Sequence, residues 1–277
     1  TPKPSSAASD VYKRQVYTVA QDLRQFMTPD SDEEKNLKQF YDKLSRQQFE
    51  RLGWHAKDNE SLDDELTRPY IVAAALFAEN TEATTQAHEL FKTHEGDLQN
   101  LKAEIRLFII RNEVKNYGNQ ALFDTLFLNY RKSSDASYKK DLCAAITSVT
   151  DPQLISQLVT AFKNSDVIKP QDLRGWFGSV LRNPHGEQAA WSWLRQDWDW
   201  LESKVGGDME FTTYITVAAG ILKTAERLEE FKLFFEPKID QPGLTREIKM
   251  DTRVISGRVA LIESERNAVN QVIIDNI

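Results

Sequence analysis

The side chains best equipped for chemistry are four histidines, one cysteine and several carboxylate clusters. A hydrolytic zinc site on a helix needs two histidines four residues apart, with a glutamate beside the first as general base. His88-Glu89 has Lys92 in the fourth position, and His94-Glu95 has Leu98. His88 and His94 are six apart, about 240° around a helix, so they cannot hold one metal from one face. His55 and His185 complete no such pattern either. Cys143, in LCAAI, reads as a small buried hydrophobe with no neighbouring charge to lower its pKa. No G-x-S-x-G elbow and no glycine-rich phosphate loop is present. Asp63-Asp64-Glu65 and Glu226, Glu229, Glu230 fall in first turns or on polar faces, where they complement helix dipoles. The residues alone therefore give no catalytic constellation and no metal or cofactor in this chain.

Composition narrows the partners. Of 277 residues, 40% are hydrophobic and 28% charged, with a formal charge of −7. That balance argues against nucleic acid or an anionic membrane surface, which need a basic footprint. One cysteine cannot form an internal disulfide. No apolar run approaches ~20 residues, and the N-terminus has no signal-peptide core, so a cytoplasmic location is expected.

The elements that would position any site are helices throughout. Residues 1–15 (TPKPSSAASDVYKRQ) have no period and read as a disordered leader, non-native in origin at its DVYKRQ end. From residue 16 onward, Asp32 to Leu52 carries an amphipathic stripe. Gly53 stands at a left-handed C-cap, followed by Trp54. Ser61 and Asp64 form a capping box opening a helix through Ala78, and Thr81 to His94 completes a hairpin. Asp97 is expected to cap the helix carrying Leu101, Ile105 and Ile109. Asp151-Pro152 is an N-cap with proline at N1, and Gly206-Gly207-Asp208 is a turn. From Ile248 to Ile273 apolar positions step by four and three, predicting one helix of ~30 residues. No segment alternates as a strand. The fold class is all-α: a superhelical stack of antiparallel helix hairpins, a HEAT-like α-solenoid, ending in one long helix.

Four of the six tryptophans lie in Leu181–Leu201, LRNPHGEQAAWSWLRQDWDWL. On one helix Trp191, Leu194, Trp198 and Leu201 share a narrow stripe, while Trp193 and Trp200 fall nearly opposite. The stretch is either a central core helix or a helix with one tryptophan pair facing a groove or another domain.

Motifs in order carry a family resemblance: LGW at 52–54, AHELF at 87–91, RNP-x-G-x4-AWSWL-x3-W over Arg182–Trp198, ERLEEFKLFFE ending at Glu236, and GLTREI from Gly243. Over Val16–Ile277 the chain resembles the C-terminal helical domain of the aminopeptidase N family of zinc metallopeptidases, as found in lactic-acid bacteria. The resemblance implies a domain truncated at its start, occupying 16–277. It also implies a parent enzyme that removes N-terminal residues from peptides, with zinc in a catalytic domain absent here. This part would be non-catalytic, would wall the active-site chamber over peptide substrates, and would have that catalytic domain as partner. Arg182 and Asn183 match the family's R-N-P turn, and with His185 they are candidates for a chamber-facing or hinge contact. The plainer reading is a helix cap plus an interhelix salt bridge. Gly53, Trp54, Trp191, Trp198 and Arg246 take structural roles; Trp193 and Trp200 would pack against a neighbouring hairpin or the absent domain. Residues 146–151 (ITSVTD) lack the arginine with which some relatives grip a peptide's C-terminus. A truncated start also implies that Asp32–Leu52 is marginal, with a wet apolar face. A free-standing α-solenoid scaffold that binds a protein or peptide is the alternative.

Overall fold

Side-chain caps set the helix boundaries. Ser61 Oγ accepts the Asp64 N–H at 3.2 Å, and Asp151 Oδ1 accepts those of Gln153 and Leu154 at 2.6 and 3.3 Å. The computed structural model describes residues 6–205 and 211–277, with side chains from residue 15 onward. Among them it contains fourteen α-helices and no strand. In order these are α1 (Ser6–Leu23), α2 (Asp32–Leu52), α3 (Leu62–Phe77), α4 (Thr81–Thr93), α5 (Ala103–Tyr117), α6 (Gln120–Lys132) and α7 (Ala136–Ile146). Then come α8 (Pro152–Ala161), α9 (Pro170–Arg182), α10 (Glu187–Gln196), α11 (Trp198–Val205), α12 (Thr212–Ala219), α13 (Ala225–Phe235) and α14 (Thr245–Ile274). The all-α class is as the periodicity predicts. So is the last helix, whose 30 residues span about 45 Å.

Contacts divide the chain into two compact units, residues 1–113 with 265–277, and residues 114–264. In the first unit α2 packs on α3 through Leu37, Tyr41, Phe49 and Leu52, all buried. The stripe expected to be wet is therefore covered. The exposed large apolar residues of this unit lie instead on α3 (Leu62 at 68%, with Leu66 and Tyr70), on α1 (Val16, Val19) and at the C-terminal end of the chain (Val272, Ile274, Ile277). Gly53 ends α2 at φ 56°, ψ −157°, a conformation open essentially to glycine alone, and its N–H meets Phe49 O at 2.7 Å. The positive φ is what a left-handed cap expects, while ψ takes the chain out of αL geometry, and the buried Trp54 meets Phe49 edge-on at 6.4 Å.

Three expectations change. Helix α1 begins at Ser6, so residues 6–15 of the expected disordered leader are helical, and residues 1–5 lie outside the described part. Asp97 precedes a short 3-10 turn, Leu98–Asn100, and makes no capping bond. Its carboxylate takes the Asn100 side-chain N–H at 2.5 Å instead, and the next α-helix starts only at Ala103. The turn at 206–208 lies outside the described residues.

In the second unit the core is aromatic. Trp176 lies flat against Phe127 with ring centres 5.2 Å apart, and Tyr130 meets it edge-on at 4.9 Å. Leu181–Leu201 is not one helix: α10 stops at Gln196, and Asp197 (φ −105°, ψ 20°) separates it from α11. The Asp197 carboxylate pairs with Lys163 at 2.7 Å, which anchors the break to the end of α8.

Candidate functional site

The turn from α9 to α10 is built around Asn183. Its Oδ1 accepts the His185 backbone N–H at 3.1 Å, closing an Asx turn. Its Nδ2 donates to Thr147 O at 2.9 Å and Val149 O at 2.7 Å, two carbonyls in the loop between α7 and α8. One side chain thus ties two interhelix turns together. Gly186 completes the arrangement. A Cβ there would stand 2.9 Å from Val180 O, so only glycine admits this close approach. Arg182 is exposed and donates to Gly178 O of its own helix at 3.2 Å. The expected interhelix salt bridge is not what holds the turn; the amide staple is. His185 is exposed beside it.

The tryptophans keep their two-sided arrangement despite the break at Asp197. Trp191 and Trp198 both face α13, Trp191 stacking on Phe231 at 6.3 Å and Trp198 meeting Phe235 edge-on at 5.2 Å. Trp193 turns the other way, onto Phe162 at 5.0 Å and Phe177 at 5.8 Å. It is buried by this chain's own helices, so another domain is not needed to cover it. Trp200 is half-buried at the edge of that cluster, 6.2 Å from Trp193, with Lys163 over its ring. Arg246, given a structural role by its place in the motif, is exposed in the first turn of α14 and pairs with no carboxylate among the described residues.

Between α10 and α13 a polar network meets an open groove. Glu230 Oε2 accepts Trp191 Nε1–H and Arg227 Nη1–H, each at 2.7 Å, and Arg227 also donates to Glu187 at 2.9 Å. Burial alone would raise the Glu230 pKa. The hydrogen bonds from Arg227 and Trp191, with the charges of Arg195 and Arg227, outweigh it and hold the carboxyl below its usual range. The Arg195 guanidinium lies 5.0 Å from the Trp191 ring centre. The groove, about 420 Å³, is lined by Ser192, Arg195, Gln196, Glu230, Leu233 and Phe234. Sequence reasoning missed this cluster, because α10 and α13 are about 40 residues apart in the chain and neither strand of the pattern marks the other.

Among the described residues no catalytic set assembles. Burial pushes the Cys143 thiol up to about 12, which leaves it unreactive at neutral pH. His88 Nδ1 lies 2.7 Å from Glu113, and His94 Nδ1 lies 2.9 Å from Leu90 O. Among the described residues no three His, Cys, Asp or Glu side chains converge to hold a metal. The described residues therefore present no donor set that fits zinc. Among the same residues no helix is long and apolar enough to cross a membrane.

Residues 9–255 match the family model described as "ERAP1-like C-terminal domain". The chain is 51% identical over 271 residues to aminopeptidase N of Lactobacillus helveticus, covering 98% of this chain and 32% of that protein. It is 47% identical over 265 residues to aminopeptidase N of Lactobacillus delbrueckii subsp. lactis, covering 96% and 31%. A more distant relative is glutamyl aminopeptidase of Mus musculus, 28% identical over 222 residues, covering 79% and 23%. The chain thus spans about a third of the length of the bacterial relatives it matches, and it belongs to the ERAP1-like C-terminal domain family.

Proposed function

We propose that this chain is the non-catalytic helical part of a zinc aminopeptidase, one that walls the active-site chamber and limits which peptides enter it. The observation that carries this reading is the match itself. Nearly the whole chain aligns with two aminopeptidases N, yet only about a third of each is covered. In this reading the zinc, the general base and the pocket for the N-terminal residue belong to the rest of the enzyme, and the chain works in the cytoplasm. What these residues contribute is shape. Asn183 and Gly186 fix the turn that joins two helix pairs, and Arg182 and His185 are the exposed side chains it offers to a passing peptide. Trp200 at its half-buried edge is where the catalytic part can pack.

The test uses the chain alone, the remainder of the Lactobacillus helveticus enzyme alone, and the two mixed. Release of p-nitroaniline from leucine p-nitroanilide reports the chemistry, and trimming of a twenty-residue peptide reports access. The chain alone is expected to be inactive. The remainder should lose its discrimination between short and long substrates, and the mixture should regain it. Metal-dependent hydrolysis by the chain alone, or a remainder indifferent to its addition, would overturn the reading.

A further inference from the structure

The groove between α10 and α13 has a composition that selects its occupant. Its outer lip is Leu233, 77% exposed and the most exposed large apolar residue among those described, beside the half-buried Phe234. An isolated exposed leucine says little, but one that edges a concave surface supplies apolar area for a ligand to cover.

The charges around this lip are unequally committed. Glu230 is saturated on one oxygen by Trp191 and Arg227, and Arg227 is in turn divided between Glu230, Glu187 and Gln188. Arg195 makes no hydrogen bond among the described residues. Its Nη2 approaches Glu230 Oε1 only to 3.8 Å, and its enclosed Nε has no acceptor. The guanidinium rests on the Trp191 face and in a long ion pair with Glu230 Oε1 at 3.8 Å, so it is positioned while its fork carries no hydrogen bond. Lys238, at the far end, lies 4.9 Å from the Phe234 ring centre and pairs with no carboxylate among the described residues. Two positioned cations whose donors carry no hydrogen bond therefore flank one apolar lip, and the acid beside them is shared among Trp191, Arg227 and Arg195.

We propose that this groove docks a peptide segment in which a large apolar side chain stands next to a carboxylate. The apolar side chain covers Leu233 and Phe234, and the carboxylate takes the Arg195 fork, a charge-assisted contact that needs no rearrangement of the site. The inference does not rest on the peptidase reading, because a free-standing scaffold with the same groove would bind the same ligand.

The test is a titration of the full chain with N-acetyl-Leu-Glu-amide and, separately, N-acetyl-Leu-Gln-amide, following the Trp191 indole N–H resonance. The glutamyl peptide should shift it saturably, and the glutaminyl peptide should bind about fivefold or more weakly, the size of one lost charge-assisted bond. Arg195→Gln should erase that preference, and Leu233→Ser should weaken both peptides alike. A wild-type resonance that does not saturate, or equal binding of the two peptides, overturns the proposal without recourse to any variant. A preference that survives in folded Arg195→Gln overturns it as well.

Discussion

The two units of this chain bury their interiors by different means. Among the described residues, six of the eight buried polar or charged side chains lie in the first unit: Ser45, Thr67, Arg68, Arg106, Asn112 and Glu113. Each needs a specific partner: Ser45 Oγ donates to Tyr41 O at 2.7 Å, and Asn112 Nδ2 to Thr84 O at 3.2 Å. The second unit fills its interior with rings, and Trp191, Trp193 and Trp198 each touch at least two other aromatic side chains. Directional bonds fail one at a time and expose an unpaired group, while ring contacts are spread over many atoms and are indifferent to protonation. The contrast teaches that pH sensitivity and single-partner fragility belong to the first unit, and size sensitivity to the second.

The largest expected effect tests the first half of that statement. Arg68 donates to Glu60 across a pair that is nearly enclosed, with side chains 5% and 8% exposed. Arg68→Met should cost about 3–5 kcal/mol by stranding the carboxylate, and Glu60→Leu added to it should recover part of the loss. A double variant as unstable as the sum of the singles, by urea denaturation, would break the contrast. The hydrogen bond from Arg68 also holds the Glu60 pKa below its usual value. That contribution is complete above the ordinary carboxylate range and is lost as pH falls through the depressed folded value. The acid limb of thermal denaturation should therefore flatten in Glu60→Gln.

A smaller loss is expected in the aromatic half. Trp191→Phe removes the indole N–H that Glu230 accepts and part of the ring stack, costing about 2 kcal/mol. The cost should be the same at pH 5 and pH 8, and a strong pH dependence would count against an aromatic origin. Asn183→Ala, which frees the Thr147 and Val149 carbonyls, should cost about 1–2 kcal/mol. It should also raise amide exchange at 147–151 and 183–187 together; a rise at only one of the two turns would deny the staple.

The smallest change is a gain, at the exception to the contrast. Asp251 on α14 is buried in the second unit and accepts, among the described residues, one hydrogen bond, from Thr216 Oγ1 at 3.2 Å. Burial raises its pKa, opposed by the Thr216 bond and reinforced by Glu247. A raised folded pKa means that the ionised form is penalised above it. Asp251→Asn should therefore stabilise the protein at neutral pH by about 1 kcal/mol. The gain should shrink as pH falls through the raised value towards the unfolded one. A variant less stable than the wild type at pH 7 would show that the carboxylate is wanted there.

What the sequence disclosed follows the range of each interaction. The Ser61 and Asp151 caps, the glycine stop at 53 and the length of α14 are local, so spacing within a few residues announces them. The opposed tryptophan pairs were also legible, since helical phase fixes which side chains share a face. The break at Asp197 was not, because an unbroken periodicity carries no mark of a pairing with Lys163 34 residues away. Arg195 escaped for the same reason. On paper it is one more polar-face cation, and only the arrival of α13 shows that Glu230 is spoken for by others. The R-N-P turn was legible as a place but not as a mechanism: asparagine there suggested a cap, while its amide reaches 36 residues back to Thr147.

That reach has a consequence for how the chain can drift. Asn183 reads main-chain carbonyls, so its bonds survive any replacement at 147 or 149 that leaves the backbone path intact. An interaction of this kind leaves no covarying partner in a family of sequences. It would show as a single invariant letter opposite a permissive loop, a coupling visible in coordinates and silent in pair statistics.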